Sequence, residues 1–305
     1  MKHVVISLLN FNGKKNTLNC LKSLQNVRRD NFELTIVVVD NASKEEFDLK
    51  GGTIGDIHLV VVRNEKNLGF SGGHNVAIQY ALENGADYVL ILNNDTYVDK
   101  NFLEELLRVG EKDNEIGILI PKIYFAPGFE YYRARYSKEE TGKVFWYAGG
   151  EMDWGNVIGR HKGVDEIDKG QFDKIELTDF ATGCCMMVKR KVFEKVGMFD
   201  GKYFLYYEDN DLNIRAKKEG LKIVYVPKSV IWHKNAGSVG GSGSELQDYY
   251  ITRNRLIFGM RYAPIRAKFA LFRESLRVLL SGRYWQRRGV LDFYLGKLGK
   301  GSYEI

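Results

Sequence analysis

The sequence predicts an α/β fold: a mostly parallel central sheet flanked by helices, followed by a C-terminal helical extension. Three observations carry that expectation. Short runs of apolar β-formers are continuous rather than alternating, as in strands covered on both faces. Segments of helical spacing lie between those runs, and alternating strand and helix build a parallel sheet. Beyond the Gly/Ser-rich stretch at 235–245 the pattern turns helical and stays so to about residue 280.

In chain order, HVVISLL (3–9) reads as the first strand, and Leu18, Leu21 and Leu24 mark the first helix. LTIVVVD (34–40), IHLVVV (57–62) and DYVLIL (87–92) are further strands. Between the last two, Val76, Ala77, Tyr80 and Ala81 recur at helical spacing, and Gly85 stops the helix. Residues 124–146 break the rhythm and are expected to form a long excursion. CCMMV (184–188) is a strand followed by a short helix at 189–197; a helix at 210–220 and a strand at 222–226 follow. The expected division is a catalytic unit at 1–240 and a basic, amphipathic helical extension at 241–305.

With 305 residues, 44% of them apolar, the chain can bury a sizeable core, and four prolines argue against long disordered linkers. Cys20, Cys184 and Cys185 make an odd count with two adjacent, which is no disulfide framework and suits a reducing compartment. No CxxC pair is present for zinc. The apolar run in MKHVVISLLNFNG is too short for a signal peptide, and no run approaches the ~20 apolar residues that span a bilayer. A cytoplasmic protein is expected, soluble or peripheral at the inner face of the cell membrane.

Open α/β sheets bind ligands beyond the carboxyl ends of their strands. Four such ends are polar here: Asn10 and Asn12, Asp40 and Asn41, Asn64 and Asn67, then Asn93, Asn94 and Asp95. Turn chemistry accounts for any one of them; four on one edge point to a polar ligand. The loop after the first strand, NFNGKKN, is neither GxGxxG nor a Walker A motif. An Asp beside amides suits a divalent cation shared with substrate phosphates.

Five segments in order, VVISLLNFNG, VVVDNAS, NLGFSGGHN, LILNNDTYV and FLYYEDNDLNIRAKKEG, resemble the inverting, nucleotide-sugar-dependent glycosyltransferases of family 2, with the GT-A nucleotide-diphospho-sugar transferase fold. The resemblance is to the rhamnosyltransferase-like branch and covers about residues 3–240. It implies that Asp95 binds Mn²⁺ or Mg²⁺ on the donor diphosphate. Asn93 stands where the family has an acid, and its amide would hydrogen-bond a ribose or sugar hydroxyl. Asp40 would meet the nucleoside, and Asn10, Asn67 and Asn75 would line the nucleotide pocket, with Asn12, Asn41 and Asn94 on the same tips. The implied reaction moves rhamnose from dTDP, or a hexose from UDP, to a glycan or lipid-linked hydroxyl during polysaccharide or cell-surface glycan biosynthesis.

YYEDNDL supplies three carboxylates within four residues. Glu208 and Asp211 are three apart and share a helical face, while Asp209 points elsewhere. The plainer reading is a helix N-terminus favouring acids. In the family the Asp of the Glu-Asp pair is the general base, which maps to Asp209; its neighbours would raise its pKa and suit it to that task. Glu208 and Asp211 are then placed on the acceptor side. By the same resemblance His233 would be a second metal ligand, and DFATGCCMMVKR would be the acceptor-side strand. Gly183 there allows close approach, and Trp154 offers a sugar-stacking face or simple packing.

Residues 261–305 hold ten Lys/Arg against three Asp/Glu, so the tail accounts for the whole chain's +6. Ile265, Phe269, Phe272, Leu276 and Leu279 lie on one helix face, with Arg266, Arg273 and Arg277 on the other side. Such a helix suits an anionic membrane surface; the alternative is packing on the catalytic unit or on a second copy in a homodimer. No nucleic-acid motif accompanies the charge. Two rival functions are a nucleotidyltransferase, which NFNGKKN fits poorly, and a non-catalytic nucleotide-sugar-binding module.

Overall fold

A computed structural model describes residues 1–45, 47, 49–234 and 243–304. The expected boundary at residue 240 and most of the Gly/Ser-rich stretch lie outside the described residues. The strands are β1 (Lys2–Asn10), β2 (Phe32–Asp40), β3 (Gly52–Ile54), β4 (Ile57–Arg63), β5 (Tyr88–Asn93), β6 (Thr96–Val98), β7 (Ile116–Phe125), β8 (Phe145–Tyr147), β9 (Gly150–Asp153), β10 (Ile158–His161), β11 (Glu176–Leu177), β12 (Cys185–Lys189) and β13 (Lys222–His233). The helices are α1 (Lys14–Leu24), α2 (Gly69–Glu83), α3 (Phe102–Gly110), α4 (Arg190–Val196), α5 (Glu208–Lys218), α6 (Glu245–Tyr262), α7 (Ile265–Ser281) and α8 (Tyr284–Tyr294).

The main sheet runs β11-β13-β7-β12-β5-β1-β2-β4-β3. Its long pairings are parallel: β5, β1, β2 and β4 side by side, and β7 beside β13. Antiparallel β12 joins the two groups. The apolar runs of β1, β2 and β5 are almost wholly buried, as expected for a sheet covered on both faces.

Several elements escaped the sequence reading, α3 and β7 among them. The α3 segment buries Phe102, Leu103, Leu106 and Leu107, and β7 is a central strand. Its end, Tyr124–Phe125, and the start of β8 lie within the expected excursion, so the excursion is narrower than 124–146. Glu130, itself buried, ties the loop between them by accepting the N–H groups of Gly128 and Gly142.

β13 is longer than expected, ending at His233 rather than at 226. Its register against β7 shifts between Val226 and Val230, while β7 advances only from Pro121 to Lys122. Ser229, inside that bulge, donates its hydroxyl to the Phe102 carbonyl at 2.8 Å.

The tail is helical past residue 280, through α8. A second apolar cluster joins α6, α7 and α8 to Val157, Tyr203 and Tyr207. The buried face of α7 is Ala267, Leu271 and Ser275; of the predicted stripe, Ile265, Phe269, Phe272 and Leu276 face solvent, while Leu279 is half-buried against this cluster. Small residues at two of the buried positions let α7 lie close to its neighbours, with the Ser275 and Tyr294 hydroxyls 2.7 Å apart. Among the described residues no helix is long and apolar enough to cross a membrane. All three cysteines are buried and unpaired.

Candidate active site

Because β5, β1, β2 and β4 are parallel neighbours, the four polar strand ends fall on one edge of the sheet. A hydrogen-bond chain runs along that edge. Asn94 Nδ2 donates to Thr17 Oγ1, and Thr17 donates to Asn10 Oδ1, each at 2.9 Å. Asn10 Nδ2 donates to Asp40 Oδ1 at 2.9 Å and to Ser43 at 3.0 Å. Arg63, the register partner of Asp40, closes the chain with an ion pair to it. Asn12, in a left-handed conformation, accepts the Lys44 N–H.

Two amides expected to face the nucleotide are committed to the protein. Asn75 pairs with both backbone groups of Phe199, donating at 2.9 Å and accepting at 3.1 Å. Asn41 donates to Asn67 and Gly69 and accepts from Asn64 and Leu68, so its amide is saturated; Asn67 in turn also accepts the Gly69 N–H. Asn41 and Asn67 shape the 64–69 loop, and Asn75 ties α2 to Phe199; these bonds to protein are what the sequence reading did not anticipate. Thr17, Ser43 and Arg63 were missed. The readable signal was Arg63 at the end of the strand beside Asp40.

Antiparallel pairing of β6 with β13 puts His233 opposite Thr96 and so next to Asp95. His233 Nε2 lies 3.1 Å from Asp95 Oδ1, both side chains largely buried. Among the described residues His233 Nδ1 has no hydrogen-bond partner. Trp146 meets the His233 ring edge-on at 4.7 Å and His161 at 4.5 Å. Burial holds His161 down to about 4, so it stays neutral. Among the described residues no three His, Cys, Asp or Glu gather to hold a metal by themselves.

Asp209 reaches the same edge from the other side. The Gly183 N–H donates to Asp209 Oδ2 at 2.9 Å, and the next residue's carbonyl, Cys184, accepts the Asn93 N–H at 2.8 Å. Asn93 itself is two residues from Asp95. Asp95, His233 and Asp209 therefore share one edge. A Cβ at Gly183 would lie 2.8 Å from the Phe70 ring, so only glycine permits this approach.

Burial raises the Asp209 pKa, moderated by hydrogen bonds from Gly183 and Asn210. Its neighbouring acids, expected to be the cause, act instead on Glu208, which burial, Asp209 and Asp211 push well above the usual carboxylate range. Glu208 Oε2 is buried without a hydrogen-bond partner among the described residues. Glu208 and Asp211 do share a helix face, and it is the buried one. Asp211 is fully enclosed, accepting from Tyr203, Arg215, Arg261 and Tyr262. It braces α5 against α6, a correction to its expected acceptor-side place. Trp154 stacks on Phe258 at 5.9 Å in the second apolar cluster, which is packing rather than an open sugar platform.

The family model described as "Glycosyl transferase family 2" matches residues 4–197. The low-salt glycan biosynthesis hexosyltransferase Agl10 of Haloferax volcanii is 26% identical over 83% of this chain and 74% of its own. The dTDP-rhamnosyl transferase RfbF of Shigella flexneri is 24% identical over 90% and 82%. The N-acetylglucosaminyl-diphospho-decaprenol L-rhamnosyltransferase of Mycobacterium tuberculosis is 46% identical over 19% of each chain. A solved mannosyltransferase from Pyrobaculum calidifontis, in complex with GDP-Man and Mn²⁺, superposes over 99% of this chain and 76% of its own, with TM-score 0.53 at 13% identity. GalNAc-T7 with UDP, GalNAc and Mn²⁺ covers 97% of this chain and 58% of its own, with TM-score 0.60 at 16% identity.

Proposed function

The chain belongs to glycosyl transferase family 2, with the GT-A fold, and is a sugar transferase; we propose that it is a metal-dependent, inverting enzyme whose general base is Asp209. The observation that carries this is the shared edge: Asp209 is held by Gly183, one residue from the carbonyl that binds Asn93, beside Asp95 and His233. Asp209 takes the proton of the acceptor hydroxyl. The freed oxygen forms a bond to the anomeric carbon from one face as the bond to the diphosphate breaks on the other, which inverts that carbon.

One carboxylate oxygen and one imidazole nitrogen 3.1 Å apart fit a divalent cation whose remaining positions are filled by diphosphate and water. The Mn²⁺ named with two similar folds is consistent with this donor set. When bound, the ion supplies Lewis-acid stabilisation of the departing diphosphate. Asp40, Arg63 and Asn10 form the nucleoside end of the edge. Asn12, in contact with Ser43 and Lys44, belongs to that same end, and we assign Asn93 and Asn94 to ribose and sugar hydroxyls. The donor we propose is dTDP-rhamnose, or a UDP-hexose, on the strength of the named relatives.

The finer reading of the C-terminal helices is attachment to an anionic bilayer at its cytoplasmic face, where a lipid-linked acceptor would sit. We treat 1–240 as catalytic and 241–305 as the attaching unit. Support comes from α7. Ile265, Phe269, Phe272, Leu276 and Leu280 are all exposed, with exposed Arg266, Arg273 and Arg277 alongside. A depression of about 390 Å³ opens between Arg266, Phe269, Phe272 and Arg273. Exposed apolar side chains beside arginines match acyl chains beneath anionic headgroups. A second copy would bring like charge to the same face.

The test is a panel of labelled nucleotide sugars with and without Mn²⁺. Expected is cation-dependent release of nucleoside diphosphate, with sugar transferred to an added acceptor. Pyrophosphate as the product would make it a nucleotidyltransferase; binding without turnover of any donor would make it a binding module.

A further inference from the structure

The segment ahead of α5 holds a backbone that bulky residues avoid. Phe204, Tyr206 and Tyr207 have φ values of 65°, 69° and 72°. Aromatic residues stay in such conformations only where their surroundings over-determine them. Here the surroundings are two side chains that the family resemblance did not touch. Asn254 of α6, fully buried, aims its amide at the loop and donates to the carbonyls of Tyr203, Leu205 and Tyr206 at 2.8, 2.7 and 2.8 Å. Two amide hydrogens shared among three carbonyls fix where all three meet.

Arg253, also fully buried, donates to the Tyr203 carbonyl at 3.0 Å and the Lys202 carbonyl at 3.4 Å. Its Nε donates to Asn254 Oδ1 at 3.0 Å, which orients the amide. The guanidinium lies 5.2 Å from the Tyr249 ring centre and 5.1 Å from that of Tyr250. Among the described residues no carboxylate pairs with it. Burying a guanidinium without a counter-ion is costly; two of its hydrogen bonds go to the Lys202 and Tyr203 carbonyls, and the others to Asn254, the Tyr249 hydroxyl and the Lys297 carbonyl. From the far side, the Phe70 and Ser71 N–H groups donate to the Phe204 carbonyl. Tyr207 ends the loop as the residue preceding α5, and Asp209 is two positions on.

We propose that Arg253 and Asn254 are positioning residues for the reaction: they hold the 203–207 loop in its strained form so that α5 presents Asp209 to the Gly183 N–H and the acceptor. This rests on the reading of Asp209 as general base. The donor-binding edge is built from other strands, so the pair acts on turnover and not on nucleotide binding. The Gly183 hydrogen bond favours the ionised carboxylate, and loosening it raises the Asp209 pKa. The titratable groups facing Asp209 are Glu208 on its own helix, Tyr147 from β8 and Tyr207 from the loop; burial raises the pKa of all three, and the charge of Asp209 adds to each shift.

The test uses Asn254→Ala and Asn254→Asp in the full chain. The second is near-isosteric, lacks the amide hydrogens, and can pair with Arg253. UDP and dTDP binding with Mn²⁺, measured by calorimetry, reports the folded fraction through its stoichiometry. Turnover is measured with the nucleotide sugar that wild type hydrolyses or transfers best, with Asp209→Asn alongside. Expected in both variants are wild-type stoichiometry, kcat lower by about 10- to 100-fold, donor KM within about threefold, and an acidic limb of kcat moved to higher pH. A merely structural role would leave the limb in place. Asp209→Asn inactive while both Asn254 variants keep wild-type kcat and pH profile would overturn the proposal and leave the assigned base standing. Loss of nucleotide binding in both variants would also overturn it, since the pair would then support the whole fold. A fully active Asp209→Asn would remove the underlying reading instead.

Discussion

At the scale of single residues, the acids of α5 divide by burial. Asp209 is partly exposed and hydrogen-bonded by Gly183, whereas Glu208 is buried with an unpartnered oxygen. Replacing Asp209 by Asn is expected to lower kcat by about 10²–10⁴-fold, the usual worth of a positioned base, with donor affinity retained in calorimetry. Near-wild-type turnover would remove the assignment. With its pKa raised by burial, Asp209 must lose its proton to act, so kcat falls as pH drops through a limb above the ordinary aspartate range. Glu208 gives a stability test. Its folded pKa is raised, so folded protein holds the proton more tightly than unfolded chain. Stability is full below the unfolded value of about 4.3 and declines as pH rises through the folded value. Glu208→Gln should flatten that decline in thermal unfolding across pH; an unchanged slope would show that Glu208 ionises freely. The sequence made Asp95, Asp209 and His233 legible because motif order places them at the ends of strands and at a helix start. It could not separate amides that meet ligand from amides that brace backbone. Asn10 and Asn41 sit at strand tips and Asn75 within α2, all three the same residue type, and only partners across 124 residues show that Asn75 serves Phe199.

At the scale of elements, strands with unbroken apolar runs were readable and those interrupted by special residues were not. β7 contains Gly117 and Pro121, which mimic loop chemistry, yet its other positions are almost all buried. The packing face of α7 was not readable for a related reason. Counting large apolar residues picks Ile265, Phe269, Phe272 and Leu276, whereas packing used Ala267, Leu271 and Ser275, where small side chains let helices approach. The consequence is testable. Phe269→Asp combined with Phe272→Asp should abolish sedimentation with vesicles containing anionic lipid, leaving the melting temperature and turnover of a water-soluble acceptor unchanged. Equal sedimentation of wild type and variant would remove the membrane reading, as would wild-type binding only to neutral vesicles.

At the scale of the whole molecule, the sheet and the C-terminal helices are joined through the loop before α5 and through Asp211. The expectation of a catalytic unit with an appendage was readable from the change to helical pattern; the depth of their contact was not. It depends on buried polar residues, Arg253, Asn254 and Asp211, which periodicity treats as surface. The core also hides all three thiols. Burial pushes Cys20 up to about 12 and Cys184 and Cys185 well above their usual range. A thiol reagent should therefore find almost nothing in native protein and three equivalents after denaturation. Rapid labelling without denaturant would mean local opening, of β12 if Cys184 or Cys185 reacts and of α1 if Cys20 does.

The bulge in β13 lies in the strand that carries His233. Three residues, Pro227, Lys228 and Ser229, are surplus to one step of β7, and pairing resumes at Val230. Because Val226 and Val230 already face consecutive residues of β7, excising the three would leave His233 opposite Phe125 and beside Asp95. What would be lost is the Ser229 hydroxyl on the Phe102 carbonyl. The surplus chain thus serves as an anchor for the start of α3, and the position of His233 is indifferent to it.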